Sequence, residues 1–199
     1  MNRHAITLVI TMAGLFMLGG CGHSPQTHLL ALDLAPPAMR PDPAYAGPPL
    51  RVTAVHIPAS IDRLEFALAT SPTELQLQDQ YHWSASLGSL ARDALLRDLI
   101  ARLPSAMVLP PDSPATKGVR RVDVTLLDLT TASADTTMEV LITMGTDGEA
   151  GVIRRQAHFT RRHAENQSPS QSAADYSSML GEVADTIVSM GAPPVRSSE

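Results

Sequence analysis

The chain carries a single cysteine, Cys21, and it stands at the end of an uncharged apolar run. Ala5 to Leu18 contains no charged residue, and one basic residue, Arg3, precedes it. A hydrophobic segment of about 10–14 residues is too short to cross a bilayer and reads as a signal-peptide h-region. A lone cysteine excludes an internal disulfide, so the fold must rest on a packed core. Two small residues, Gly19 and Gly20, precede Cys21 and suit a narrow peptidase site. Lipid attachment gives the thiol a role.

Leu18-Gly19-Gly20-Cys21 resembles a bacterial lipobox. The expected organisation is a signal peptide over 1–20, a short lipid tether over 21–26, a domain over 27–192 and a tail over 193–199. Cys21 would carry a diacylglycerol and an N-acyl chain such as palmitate. Each buried methylene contributes about 0.8 kcal/mol, and stable anchoring takes more than one chain. Gly22, rather than Asp, follows the cysteine, which by analogy sends the protein to the periplasmic face of the outer membrane. Removing the first 20 of 199 residues leaves 179, enough for one domain with a core, and moves the formal charge from −5 to −6. A mildly acidic chain without a polybasic block is a poor partner for nucleic acid or for anionic lipid.

Thr27 to Leu34 reads as a first strand. If it docks in the domain, about six residues separate lipid and fold, roughly 20 Å at ~3.3 Å each. Leu29, Leu30, Leu32 and Leu34 would be costly to leave in water. A proline-rich loop over 35–49 follows. Leu50 to Ile57 is a strand ended by Pro58. Glu65–Ala69 and Glu74–Gln78 form a hairpin across Ser71-Pro72-Thr73, with Leu75 and Leu77 on its buried face.

A long helix is expected from about Ser84 to Leu103, led in by Tyr81-His82-Trp83, apolar on more than one side. Asp93–Arg97 and Asp98–Arg102 are i,i+4 pairs worth a few tenths of a kcal/mol each. Three strands follow. Val122, Val124 and Leu126 line one, and Met138, Val140, Ile142 and Met144 the next. Ile153, Ala157 and Phe159 share a face of the third, and Asp147-Gly148 gives a hairpin turn. In the last helix Ser172 and Asp175 resemble a capping box, Tyr176, Met179, Leu180, Val183, Ile187 and Val188 fall at helical spacing, and Gly191 with Pro193-Pro194 is the stop. The order of elements points to a single α+β domain, a largely antiparallel sheet with two main helices packed on it.

No Gly-x-Ser-x-Gly elbow and no Gly-x-x-x-x-Gly-Lys-[Ser/Thr] loop occurs, so neither a serine hydrolase of that type nor an ATPase is supported. No catalytic residue is assigned, and no cofactor is expected beyond the acyl chains. His158 and His163 are five apart and fall on opposite faces of a continuing strand, which favours ordinary histidines over a metal site. Arg154-Arg155 and Arg161-Arg162 form a basic strip, facing lipid headgroups or an acidic partner, or guarding an edge strand. Edge guarding is the favoured reading.

Leu50-Arg-Val-Thr-Ala-Val-His-Ile-Pro58, Ile61-Asp62-Arg63, a strand pair, and Trp83 opening a Leu-rich helix resemble the ABC-type transport auxiliary lipoproteins. These are small lipoprotein partners of MCE-type systems such as the paraquat-inducible (Pqi) pathway. The chain departs from the family's Trp-Ala-Glu-Pro-Leu at Trp83-Ser84-Ala85-Ser86-Leu87, and His28-Leu29-Leu30 stands for a Tyr-rich first strand. The resemblance implies a non-enzymatic accessory subunit of an intermembrane lipid transport system that supports membrane integrity. Its implied partners are an MCE-domain protein and a membrane permease, with a homo-oligomer as a further expectation. Asp62, Arg63, Tyr81 and Trp83 are the candidate partner-binding residues. Against this, Asp62 and Arg63 are suited to capping a turn and pairing locally, and Trp83 to anchoring the core. The alternative function is a periplasmic lipid-binding or chaperone lipoprotein carrying a lipid itself, which requires an enclosed apolar pocket of a few hundred Å³.

Overall fold

A computed structural model describes residues 26–37, 45–104, 106–114, 117–146, 151–165 and 167–192. Among these residues eight strands and two helices follow one another: β1 (His28–Leu30), β2 (Leu50–His56), β3 (Glu65–Ser71), β4 (Glu74–Trp83), α1 (Leu87–Arg102), β5 (Val108–Leu109), β6 (Arg120–Thr131), β7 (Asp135–Thr146), β8 (Val152–Arg162) and α2 (Pro169–Gly191). The expected α+β domain forms, but its strands divide into two mixed sheets, ordered β1-β4-β3 and β5-β2-β6-β7-β8. Most of the ladder is antiparallel, in β3/β4, β6/β7 and β7/β8. The pairings β1/β4, β2/β5 and β2/β6 are parallel.

The core lies between the five-stranded sheet and the two helices, which pack on each other. Val122, Val124 and Leu126 of β6 and Met138, Val140, Ile142 and Met144 of β7 are buried as the period of two requires. The facing stripe of α2 is Tyr176, Met179, Leu180, Val183 and Ile187, and α1 adds Leu87, Ala91, Ala94, Leu95 and Leu99. Each fully buried large aliphatic side chain contributes about 1.5–3 kcal/mol. Phe66 and Trp83 of the small sheet join this core at Tyr176, with the Trp83 and Tyr176 rings stacked 5.8 Å apart.

Several local expectations change. β1 is three residues long; Leu30 and Leu32 are buried, while Leu29 is 70% exposed and Leu34 is exposed too. β2 carries a bulge at Thr53, an extra residue between Val52↔Val122 and Ala54↔Asp123. Such a bulge resets which side chains face inward. Leu75 and Leu77 are exposed. They pair with Ala69 and Ala67, out of step with Phe66, the residue that enters the core. Alternation sorts side chains into two faces without saying which one is covered.

Tyr81-His82-Trp83 closes β4 rather than opening the helix, and α1 starts after its N-cap Ser86. The capping box of α2 is Ser168 with Gln171, one turn before the expected Ser172 and Asp175. Ser172 is already inside the helix, buried, with its hydroxyl on the Ser168 carbonyl. Gly191 is the last helical residue and Ala192 the C-cap. A side chain at Gly191 would meet the Tyr45 hydroxyl at 2.6 Å, so close packing of the returning loop accounts for that glycine. The Asp147-Gly148 turn and Pro193-Pro194 lie outside the described residues.

Candidate functional site

Directly after β1 the chain runs as an extended strap over the two helices, and most of its backbone groups between Leu32 and Pro36 are held by side chains. Arg97 donates to the Leu32 carbonyl at 2.8 Å. The Asp33 N–H donates to Ser177 Oγ at 3.0 Å, and the Ala35 N–H to Asp98 Oδ1 at 2.9 Å. Arg102 donates from Nη1 to the Ala35 carbonyl at 3.2 Å and from Nη2 to the Pro36 carbonyl at 3.5 Å. Its Nε meets Asp185 Oδ1 at 2.7 Å. One guanidinium thus ties strap, α1 and α2 together. The planar fork of five donors makes arginine suited to this task and lysine not.

Three features fix the fit. Gly181 lies beneath Ala35, and a Cβ there would stand 2.5 Å from the Ala35 Cβ. Asp98 is fully buried, and its Oδ2 has no hydrogen-bond partner among the described residues. Burial pushes the Asp98 carboxyl up to about 6, outweighing the Ala35 N–H and the Arg102 and Arg97 guanidinia, which pull it down. The strap's far side borders an open cleft of about 350 Å³, lined by Asp33, Ala35, Arg102, Ser178, Glu182 and Asp185 among others. Beneath Trp83, by contrast, a void of about 20 Å³ has room for roughly one water. Burial also raises the Tyr176 hydroxyl to about 12, against the lowering effect of its bond to Thr131.

The sequence-selected residues fall near the start of this arrangement. Asp62 Oδ1 accepts the Gly88 N–H at 3.2 Å, which caps the first turn of α1, and Arg63 donates to the Ser60 carbonyl at 3.1 Å. Half-buried Tyr81 stacks on His28 of β1 at 5.0 Å. Trp83 is buried in the aromatic cluster, so its surroundings serve the core-anchor role. Cys21 lies outside the described residues. His163 Nε2 is near Thr136 Oγ1 and His158 Nε2 near Thr160 Oγ1, and no group of three metal-ligating side chains occurs among the described residues.

The clamp itself escaped sequence reasoning. Asp98–Arg102 was an expected i,i+4 pair and forms at 3.4 Å, but it is buried. The expected Asp93–Arg97 pair gives way to Arg92–Asp93 at 3.5 Å and to the Arg97 bond with the strap. The available signal was position: residues 98 and 102 share a helix face with Leu95 and Leu99.

A family model described as "ABC-type transport auxiliary lipoprotein component" matches residues 30–188. No curated protein matches the chain. The crystal structure of an uncharacterized protein is similar over 84% of this chain and 99% of its own, with TM-score 0.67 and 14% identity. That of protein XCC0632 from Xanthomonas campestris, family DUF330, covers 81% of this chain and 92% of its own, with TM-score 0.63 and 17% identity. At such identities the likeness concerns the fold alone. Among the described residues, no helix is long and apolar enough to cross a membrane.

Proposed function

We propose, from the premise that this chain belongs to the ABC-type transport auxiliary lipoprotein component family, that it serves an MCE-type intermembrane lipid transport system from the outer membrane. A transport-auxiliary role is the family's. In this reading Cys21 bears the diacylglycerol and N-acyl chains, residues 21–26 form the tether, and the domain works in the periplasm with an MCE-domain protein and its permease. Docking draws on the surface around Asp62, Arg63 and Tyr81, with Trp83 fixing the strand behind it, and a homo-oligomer matches a multimeric partner.

The observation that carries the reading is the clamp. A chain that only needed a lipid tail could join it through a free linker, whereas here the segment after residue 26 is bonded to both helices, to Arg97, Asp98 and Arg102 of α1 and to Ser177 of α2. That supports a domain held at a set position from its membrane, as an accessory docked between membrane and machine requires. The test is in-cell crosslinking of the full-length lipoprotein, followed by pull-down, mass spectrometry and lipid analysis. An MCE-domain protein in the eluate is the expected result. Abundant lipid without one would overturn it in favour of a lipid carrier.

A further inference from the structure

We infer that the outer edge of β8 is a strand-docking site for an extended acidic segment of a partner polypeptide. The inference rests on the accessory reading only for the existence of a partner. β8 ends the five-stranded sheet, and its register against β7 runs without a shift from Gly145↔Val152 to Asp135↔Arg162. It is eleven residues long, about 36 Å at ~3.3 Å per residue. The opposite edge of that sheet, β5, has two residues, and the edges of the small sheet are the three-residue β1 and the bulged β3.

The direction of the free backbone groups follows from one bond. The His163 N–H donates to the Ala134 carbonyl at 3.0 Å, one step beyond the Asp135↔Arg162 pair. Along an unshifted antiparallel register, hydrogen-bonded and non-bonded pairs alternate. Odd residues of β8 therefore bond to β7. The N–H and C=O of Arg154, Gln156, His158, Thr160 and Arg162 point to the edge that no strand among the described residues covers, and all five residues are exposed.

Charge selects the occupant. The strand holds four arginines and no carboxylate, in a chain whose formal charge is −5. Arg155 and Arg161 lie on the helix side, bonded to Ser189 and to Glu182 and Ser178. Arg154 and Arg162 lie on the outer face, with no ion pair among the described residues. Opposite them in register stand Thr143 and Asp135, while Glu139, opposite His158, accepts a bond from Gln156. Arginines thus flank the free ladder on both faces. They repel a second β8, as an edge guard must. The same charges attract an acidic strand, whose own backbone completes the ladder by β-augmentation. An anionic membrane would meet the arginines and leave the ladder groups unused.

The test is photocrosslinking in cells from a benzoylphenylalanine at position 158 of the full-length, membrane-anchored chain. The expected adduct is with another polypeptide, through a segment richer in Asp and Glu than in Lys and Arg. Arg154→Glu combined with Arg162→Glu should lower its yield at least about tenfold. Thr160→Pro should do the same, because it removes an outward N–H and spares the β7 ladder. Circular dichroism and the melting midpoint should stay unchanged for both variants. An adduct with a second copy, with lipid alone, or none at all overturns the inference, as does a yield indifferent to both variants. Failure of the crosslink while transporter proteins still co-purify would sink this edge and spare the accessory reading; their absence from the unmodified protein would sink that reading itself.

Discussion

Replacing Asp98 with Asn separates the charge of the clamp from its shape. Asn keeps an oxygen for the Ala35 N–H and for Arg102, and it does not titrate. In the native protein burial lifts the Asp98 carboxyl from its ordinary 3.8 to about 6. A carboxyl raised in the folded state binds more protons there than in the unfolded chain. Its contribution to stability is therefore complete below pH 3.8 and is lost as pH rises through 6. For one group with these two values, linkage gives a loss of about 2 kcal/mol between pH 4.5 and 7.5. The unfolding free energy of Asp98→Asn, less that of the native protein, should swing by this amount in favour of Asn over the same interval. Taking the difference cancels the titrating groups remote from Asp98. Urea unfolding followed through the fluorescence of Trp83, the one tryptophan and a buried one, reads it directly. Parallel pH curves for the two proteins would refute the reasoning. A swing of opposite sign would mean that the attraction of Arg102 outweighs burial.

Gly181→Ala should cost about 1–3 kcal/mol in the same assay, because its methyl group meets Ala35 and forces the strap outward. Leu32→Ala should cost about 2–5 kcal/mol and Leu29→Ala less than about 0.5, since only the first is buried. Equal effects would show that the strap is not docked as described. Ser168→Ala, which removes the capping-box hydroxyl of α2, should lower stability by about 1 kcal/mol, whereas Asp175→Ala should lose only its exchange with Gln167.

The legible parts of the sequence are those where one covered face imposes a period. β6 and β7 alternate because the helices cover one side only, and α2 repeats at helical spacing because it supplies that cover. The illegible parts depend on pairings distant in sequence. Nothing local distinguishes Val108-Leu109 as a parallel partner of β2, or announces that His28–Leu30 runs beside Tyr81–Trp83. At Leu75 and Leu77 the alternation is real, but the face it defines is open because Phe66 occupies the other. The family resemblance was carried by residues that prove partly structural: Asp62 caps α1, and Trp83 anchors the core. The clamp was hidden for a different reason. An Asp–Arg pair at i,i+4 is normally a surface pair worth little, and only the strap converts it into a buried one.

That burial is costly, and its cost bears on what the clamp does. Replacing a buried ion pair by well-packed apolar residues is often neutral or stabilising, so stability alone does not favour Asp98, Arg102 and Asp185. An apolar trio would bury the same area but leave the Ala35 and Pro36 carbonyls without donors, and it would let the strap slide. The guanidinium fork accepts the strap in one register, with Ala35 against Gly181 and its N–H on Asp98. Leaving that register exposes Leu30 and Leu32 and strands two buried charges at once. The strap therefore releases only together with part of the core. A pull on the segment before β1 is resisted by the fold itself rather than by a hinge.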